Sequence, residues 1–211
     1  MLDFLRSGSL FSWHGQALIC LIGVFSIMAV AIVIDRLVFF RRSRVRSGEF
    51  TGKVVSLVRR GKMVDAISLC ERSALAPLAR ALKAGLLSHD RGRGEILDVM
   101  AQARSETAVD LERYLPLMAT LGYAAPLVGL LGTVAGFIEV FHAMQVKSMI
   151  VSPAVFAGGV GESLVTTAAG LAVTILVLVF HNYFVSRVTR LVREMESSSS
   201  ELARELGRRG A

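Results

Sequence analysis

Three long stretches of this chain carry almost no charge, and that limits its fold more than any other feature. Residues 15–34 (GQALICLIGVFSIMAVAIVI) and 114–138 hold no charged side chain, and residues 148–180 hold one, Glu162. A helix rises about 1.5 Å per residue, so about 20 residues cross the roughly 30 Å hydrocarbon core of a bilayer. Lipid offers the backbone no hydrogen-bond partners, so each stretch must satisfy its own amides and is expected to be a helix. With 53 % hydrophobic residues, the chain is too apolar for an ordinary soluble domain. The expected fold is an all-α membrane protein. Three transmembrane helices are joined by a helical cytoplasmic domain made of the loop between spans one and two, helix extensions and the C-terminal tail.

The charge that remains gives the orientation. The chain has a net charge of +7, which taken alone would fit nucleic-acid binding as well as cytoplasmic loops. Its distribution favours the loops. Five arginines lie within residues 36–46, and residues 41–113 hold 15 Lys and Arg. The connection 139–162 holds one, Lys147, and the tail from Val185 holds six. Positive charge stays in the cytoplasm, so the N-terminus is expected outside, the large loop inside, the short loop outside and the C-terminus inside. The first apolar run is longer than a signal-peptide core and its leading flank has no net charge, so it is expected to stay as a span. No groove-reading motif or aromatic platform accompanies the basic residues, and no nucleic-acid partner is expected.

The expected organisation is therefore an extracytoplasmic N-terminus (1–14), a first span (15–40), a cytoplasmic helical loop (41–113), a second span (114–140), a short periplasmic loop (141–151), a third span (152–186) and a cytoplasmic C-terminal helix and tail (187–211). Within the loop, residues 61–71 and 76–87 read as short amphipathic helices split near Ser73 to Ala76, and residues 89–94 as a turn. Ile96, Val99, Met100, Ala103, Thr107, Leu111 and Tyr114 then recur at helical spacing. With no breaker before Pro116, one long helix is expected to run from the cytoplasm into the second span. Val188, Leu191, Met195, Leu202 and Leu206 repeat the pattern in the tail, where the serine run 197–200 is expected to interrupt it. Ser152-Pro153 has the pattern of a helix start.

The second span contains GLLGTVAGF (129–137). A phosphate loop needs a lysine after its last glycine and a strand before it. Neither is present, so a nucleotide site is excluded. Gly132 and Gly136 instead fit the small-xxx-small spacing that lets membrane helices approach closely. Gly129, Gly132 and Gly136, with Gly158, Gly161 and Gly170 of the third span, are the expected helix-packing positions. The first span, mostly large and aliphatic, is expected to face lipid. Cys20 and Cys70 make no metal or disulfide spacing and the four histidines are scattered, so neither a metal nor another cofactor is expected. Polar groups at membrane depth are few: Thr120, Thr133, Glu162, Ser163, Thr166, Thr167 and Thr174. A membrane threonine usually returns its hydroxyl to a carbonyl one turn earlier. A buried carboxylate is costly unless paired or wet, so Glu162 lies either at the outer interface or in a functional position. No span has Asp, Lys or Arg at its centre. A chain that conducts protons without such a group needs a second protein to supply one.

GLLGTVAGF followed by GESLVTTAAGLAVTILVLVFHNYF (161–184), behind a first helix closed by Asp35-Arg36, resembles the MotA/TolQ/ExbB proton-channel family. Three spans and this length are most similar to ExbB and TolQ. The resemblance implies a homo-oligomeric ring, typically a pentamer, around the single-span helices of an ExbD-, TolR- or MotB-like dimer. The partner's aspartate would carry the proton, and the output would pass to a TonB- or TolA-like protein or to a motility complex. By motif it places Thr133, Glu162 and Thr167 on the proton pathway with Thr166 beside them. Ala135 stands where the family often has tryptophan. The location implied is a bacterial inner membrane. The rival reading is a membrane scaffold without ion flow. No catalytic dyad is present, so an enzyme is not expected.

Overall fold

The computed structural model describes residues 13–42, 47–73, 75–147 and 153–208, and every regular element among them is helical. In chain order these are α1 (Trp13–Arg42), α2 (Ser47–Arg59), α3 (Met63–Arg72), α4 (Pro77–Leu87), α5 (Arg93–Glu112), α6 (Leu115–Lys147) and α7 (Pro153–Gly207). Three of the helical stretches are long and apolar enough to cross a membrane. Most of the expected extracytoplasmic N-terminus, the cap Ser152 and the rest of the loop after Lys147 lie outside the described residues.

The chain divides into two compact units. One comprises residues 1–33 and 116–181, the other residues 34–115 and 182–211. In the first, large apolar side chains are exposed: Ile27 is 72 %, Leu127 64 % and Ile175 66 % accessible. That is the surface of a segment whose solvent is lipid or another protein. The first span is not wholly lipid-facing, however. Ile22, Ala29, Ile32 and Val33 are buried, a stripe that recurs at helical spacing.

The second unit has the core of a soluble domain. α2 packs on α3, α3 on α4 and α4 on α5. Val54, Val58, Leu82, Leu86, Ile96, Met100 and Leu111 are shut from solvent, as are Phe184, Met195 and Leu202 from α7. The expected apolar faces of α5 and the tail are thus the ones buried. Gly61 has φ 79° between α2 and α3, where a residue without Cβ is needed to reverse the chain.

Two expectations fail on the path of the chain. The helix expected to run unbroken into the second span breaks at Arg113–Tyr114, between α5 and α6. Pro116 causes this: its ring cannot sit four residues after a helical carbonyl, and it has no N–H to donate. The serine run 197–200 does not interrupt α7. Serine is only mildly unfavourable in a helix. Ser198 and Ser199 are buried, and Ser198 accepts a 2.8 Å hydrogen bond from the Thr51 hydroxyl of α2. Flanking contacts join Ser47 to Glu194 and Arg59 to Glu205, so α2 and this part of α7 run parallel in register. α6 continues as a helix to Lys147, and one helix, α7, covers both the third apolar run and the tail.

Candidate functional site

The residues singled out in the apolar runs come together in one seam between α6 and the first part of α7. The register is antiparallel. A Cβ placed on Gly129 would lie 3.1 Å from the Thr167 Cα. On Gly132 it would lie 2.6 Å from the Thr166 methyl, and on Gly136 2.7 Å from the Ser163 Cβ. From the other side, a Cβ on Gly170 would come within 2.6 Å of the Ala125 carbonyl oxygen and 3.2 Å of the Gly129 Cα. The helices approach backbone to backbone at Gly129 and Gly170, which only a residue without a side chain allows. Gly158 and Gly161 do not serve this contact within the chain: a Cβ on either meets nothing within 4 Å. Gly159 takes that place, facing Val140, and Gly122 extends the seam to Leu178. Small residues three and four apart signalled the seam, but which glycine of the 158–161 cluster faces inward depends on the phase of α7. Sequence spacing does not give that phase.

The hydroxyls of α6 and the first part of α7 fall into two groups. Thr120, Ser163, Thr166 and Thr174 donate to carbonyls three or four residues earlier on their own helix, the ordinary arrangement away from water. Thr166 is also 4 % exposed and packs against Gly132, so within the chain it belongs to the seam's interior. Thr133 and Thr167 differ. The Thr167 hydroxyl leaves its own helix and donates to the Gly129 carbonyl of α6 at 2.8 Å. The Thr133 hydroxyl reaches the same carbonyl at 3.3 Å and also meets the Thr167 hydroxyl. Two hydroxyl protons serve three contacts. At any instant one contact lacks its proton, so the pair can redistribute its hydrogen bonds or accept one from a newcomer without charging. Both residues are half-buried, within reach of a neighbour.

Glu162 lies on α7 one turn before Thr166 and accepts the Thr166 hydroxyl with its backbone carbonyl. Its carboxylate is partly accessible and makes no ion pair among the described residues. It lies within electrostatic range of Glu139 of α6. Glu139 falls within the expected second span, directly after its charge-free run, and sequence reasoning gave it no role. No cluster of three or more potential metal ligands occurs among the described residues.

Long apolar helices with unburied faces, joined by a glycine seam that holds a cross-helix hydroxyl pair, define a polytopic helical membrane protein. The chain belongs to the MotA/TolQ/ExbB proton channel family, whose model matches residues 73–197. It is 30 % identical over 208 residues to the biopolymer transport protein ExbB of Neisseria meningitidis, covering 86 % of this chain and 90 % of that one. A protein from Synechocystis sp. named for its likeness to ExbB is 30 % identical over 179 residues, covering 84 % of this chain and 85 % of its own. A protein named as an ExbB homologue from Methanothermobacter thermautotrophicus is 28 % identical over 200 residues, covering 93 % and 67 %.

Proposed function

We propose that this chain is the ring-forming subunit of a proton-driven membrane motor. Several copies, five by the family resemblance, would surround the single-span helices of an ExbD/TolR-like dimer and couple proton flow to an envelope process such as outer-membrane transport. The TonB- or TolA-like element would receive that work. The observation that carries the reading is the Thr133–Thr167–Gly129 triad. It is a polar, uncharged contact that spans two helices in a membrane unit with no central Asp, Lys or Arg. Such a unit can hold water or bind a carboxyl group supplied by a partner, and it has no proton carrier of its own. Glu162 would tune proton access from the outer side, with Thr166 buttressing the seam between it and Thr167. The distribution of Lys and Arg supports a periplasmic N-terminus and a cytoplasmic loop and tail.

Energetics suit repeated release. A transmembrane potential contributes about 2.3 kcal/mol per charge per 100 mV. A neutral hydrogen bond is worth about 1 kcal/mol net. A hydroxyl contact to the partner's carboxyl can therefore break at each step, where a buried ion pair would stall. The test is proton flux in proteoliposomes holding the chain with its partner. Thr133→Ala and Thr167→Ala should each lower partner-dependent flux about tenfold while the ring still assembles, since two hydrogen-bonding groups lose their shared network. Full flux in both variants overturns the role given to the pair. Glu162→Leu with unchanged flux would remove that residue from the pathway.

A further inference from the structure

A second polar constellation lies in the other unit, apart from the threonine seam. Arg36 of α1 is 5 % exposed. One of its terminal nitrogens donates to the Leu111 carbonyl at 3.3 Å and approaches that of Asp110 at 3.5 Å, at the C-terminal end of α5. Its guanidinium lies 4.5 Å from the Tyr114 ring centre and 5.2 Å from that of Phe39. Its Nε faces the Asp35 carboxylate at 3.4 Å, an ion-pair distance without hydrogen-bond geometry. That Nε is the one buried side-chain nitrogen among the described residues with no hydrogen bond. A buried N–H left unmade is costly, and in a native structure it points to a missing acceptor.

Beside it is a cavity of about 350 Å³ that Arg36 lines together with Arg80, Arg113 and Tyr114. Asp35 and Asp110 also line it, and Asp110 is paired with Arg80 at 2.9 Å. Three guanidinium groups against two carboxylates leave one positive charge. The remainder of the wall is Thr107 and the apolar residues Phe39, Leu75, Pro77 and Leu111. In sequence the cavity sits where two apolar runs end, directly after Ile34 and directly before Leu115.

We infer that this cavity binds a singly charged phosphodiester, the headgroup phosphate of an anionic phospholipid. Arginine is suited to phosphate because its planar fork offers parallel donors. The Arg36 Nε–H supplies the orphaned one, and Arg113, which stacks on Tyr114 at 5.3 Å, supplies a second from the rim. One net positive charge matches a diester better than a phosphate dianion. The apolar part of the wall and the position at the ends of two apolar runs favour a lipid over a free anion. The inference is independent of ion flow through the threonine seam.

The experiment is native mass spectrometry of the full chain in its assembled form, titrated with phosphatidylglycerol or phosphatidylcholine, with inorganic phosphate in a parallel arm. The wild type should retain phosphatidylglycerol over phosphatidylcholine. Arg113→Gln, at an exposed position with no ion pair among the described residues, should weaken that retention about two- to fivefold. Arg36→Lys, which keeps the charge and loses the fork, should weaken it about tenfold or more. If Arg36→Lys fails to assemble, Arg113→Gln alone decides. Equal retention of the two lipids, or unchanged selectivity in Arg113→Gln, overturns the site. Thermal protection by phosphate in the wild type but not in Arg113→Gln, with no lipid selectivity, overturns the lipid and leaves a free-anion site.

Discussion

The two units solve the packing problem with opposite materials. In the unit of residues 34–115 and 182–211, contacts are made by large side chains: Leu82, Leu86, Met100, Phe184 and Met195 are fully enclosed. In the unit of residues 1–33 and 116–181, the α6–α7 contact is made by what is missing, at Gly129, Gly132, Gly136 and Gly170. Water expels apolar groups, so a core in water is stabilised by covering as much of them as possible. Lipid gives no such drive. Helices there hold together by close approach and hydrogen bonds, and small residues permit both. The difference teaches that the same glycine means different things in the two units, and it can be tested by identical substitutions in each.

The largest effect should come from emptying the side-chain core. Leu82→Ala should cost about 2–5 kcal/mol and lower the denaturant midpoint of the second unit, while leaving the α6–α7 approach, read by the distance between spin labels at the exposed positions Leu130 and Val165, unchanged. Next comes a matched pair. A Cβ at Gly170 meets backbone atoms, the Ala125 oxygen and the Gly129 Cα, whereas one at Gly85 meets the Met100 thioether, its Sδ at 2.5 Å. A methionine side chain can swing aside and a helix backbone cannot. Gly170→Ala should therefore destabilise by about 1–3 kcal/mol and Gly85→Ala by clearly less. Equal costs would break the contrast between the units. A smaller effect is expected at Thr51→Val, which strands the buried Ser198 hydroxyl and should cost about 1–2 kcal/mol by thermal unfolding.

The smallest effect is electrostatic. The Arg59 guanidinium, paired with Glu205, holds the Glu205 carboxyl below the usual carboxylate range. Because the folded value is depressed, the pair's contribution is present above the unfolded carboxylate value of about 4.3 and is lost as pH falls through the folded one. Glu205→Gln should therefore remove that small contribution at pH 7, change little below the folded carboxylate value, and so flatten the acid limb of a stability-against-pH curve. A thiol gives a control on the same unit. Burial pushes Cys70 up to about 11, so at pH 8 it should alkylate far more slowly in the native chain than after unfolding.

What was legible in the sequence follows the same division. Charge-free runs mark spans because lipid tolerates no charge, and glycines three and four apart mark a close helix face. The apolar faces of α5 and the tail were legible because helical periodicity places Ile96, Met100, Leu111, Met195 and Leu202 on one side. What escaped depends on phase or on distant segments meeting. The inward glycine at 159 rather than 158 or 161 depends on phase. So does the approach of Glu139 to Glu162, which needs α6 to outlast its apolar run. The Arg36 cavity draws on residues 35–39, 75–80 and 107–114, and no local pattern connects those three segments. The serine run misled because composition alone does not say that Thr51 waits opposite Ser198.

The parallel ladder between α2 and α7 has a consequence for how the protein is made. Its rungs join residues separated by 146 or 147 positions, so α2 leaves the ribosome long before its partner strip exists. At about 5–20 residues per second, roughly 7–30 s pass before residues 194–205 are available. During that interval Val54 and Val58 must be sheltered by the rest of the unit or by a chaperone, and by then all three spans will have met the insertion machinery. The segment that completes this core is thus synthesised after the rest of it. Its arrival closes a loop of high contact order, and a nascent chain stalled before residue 194 should remain protease-sensitive throughout α2.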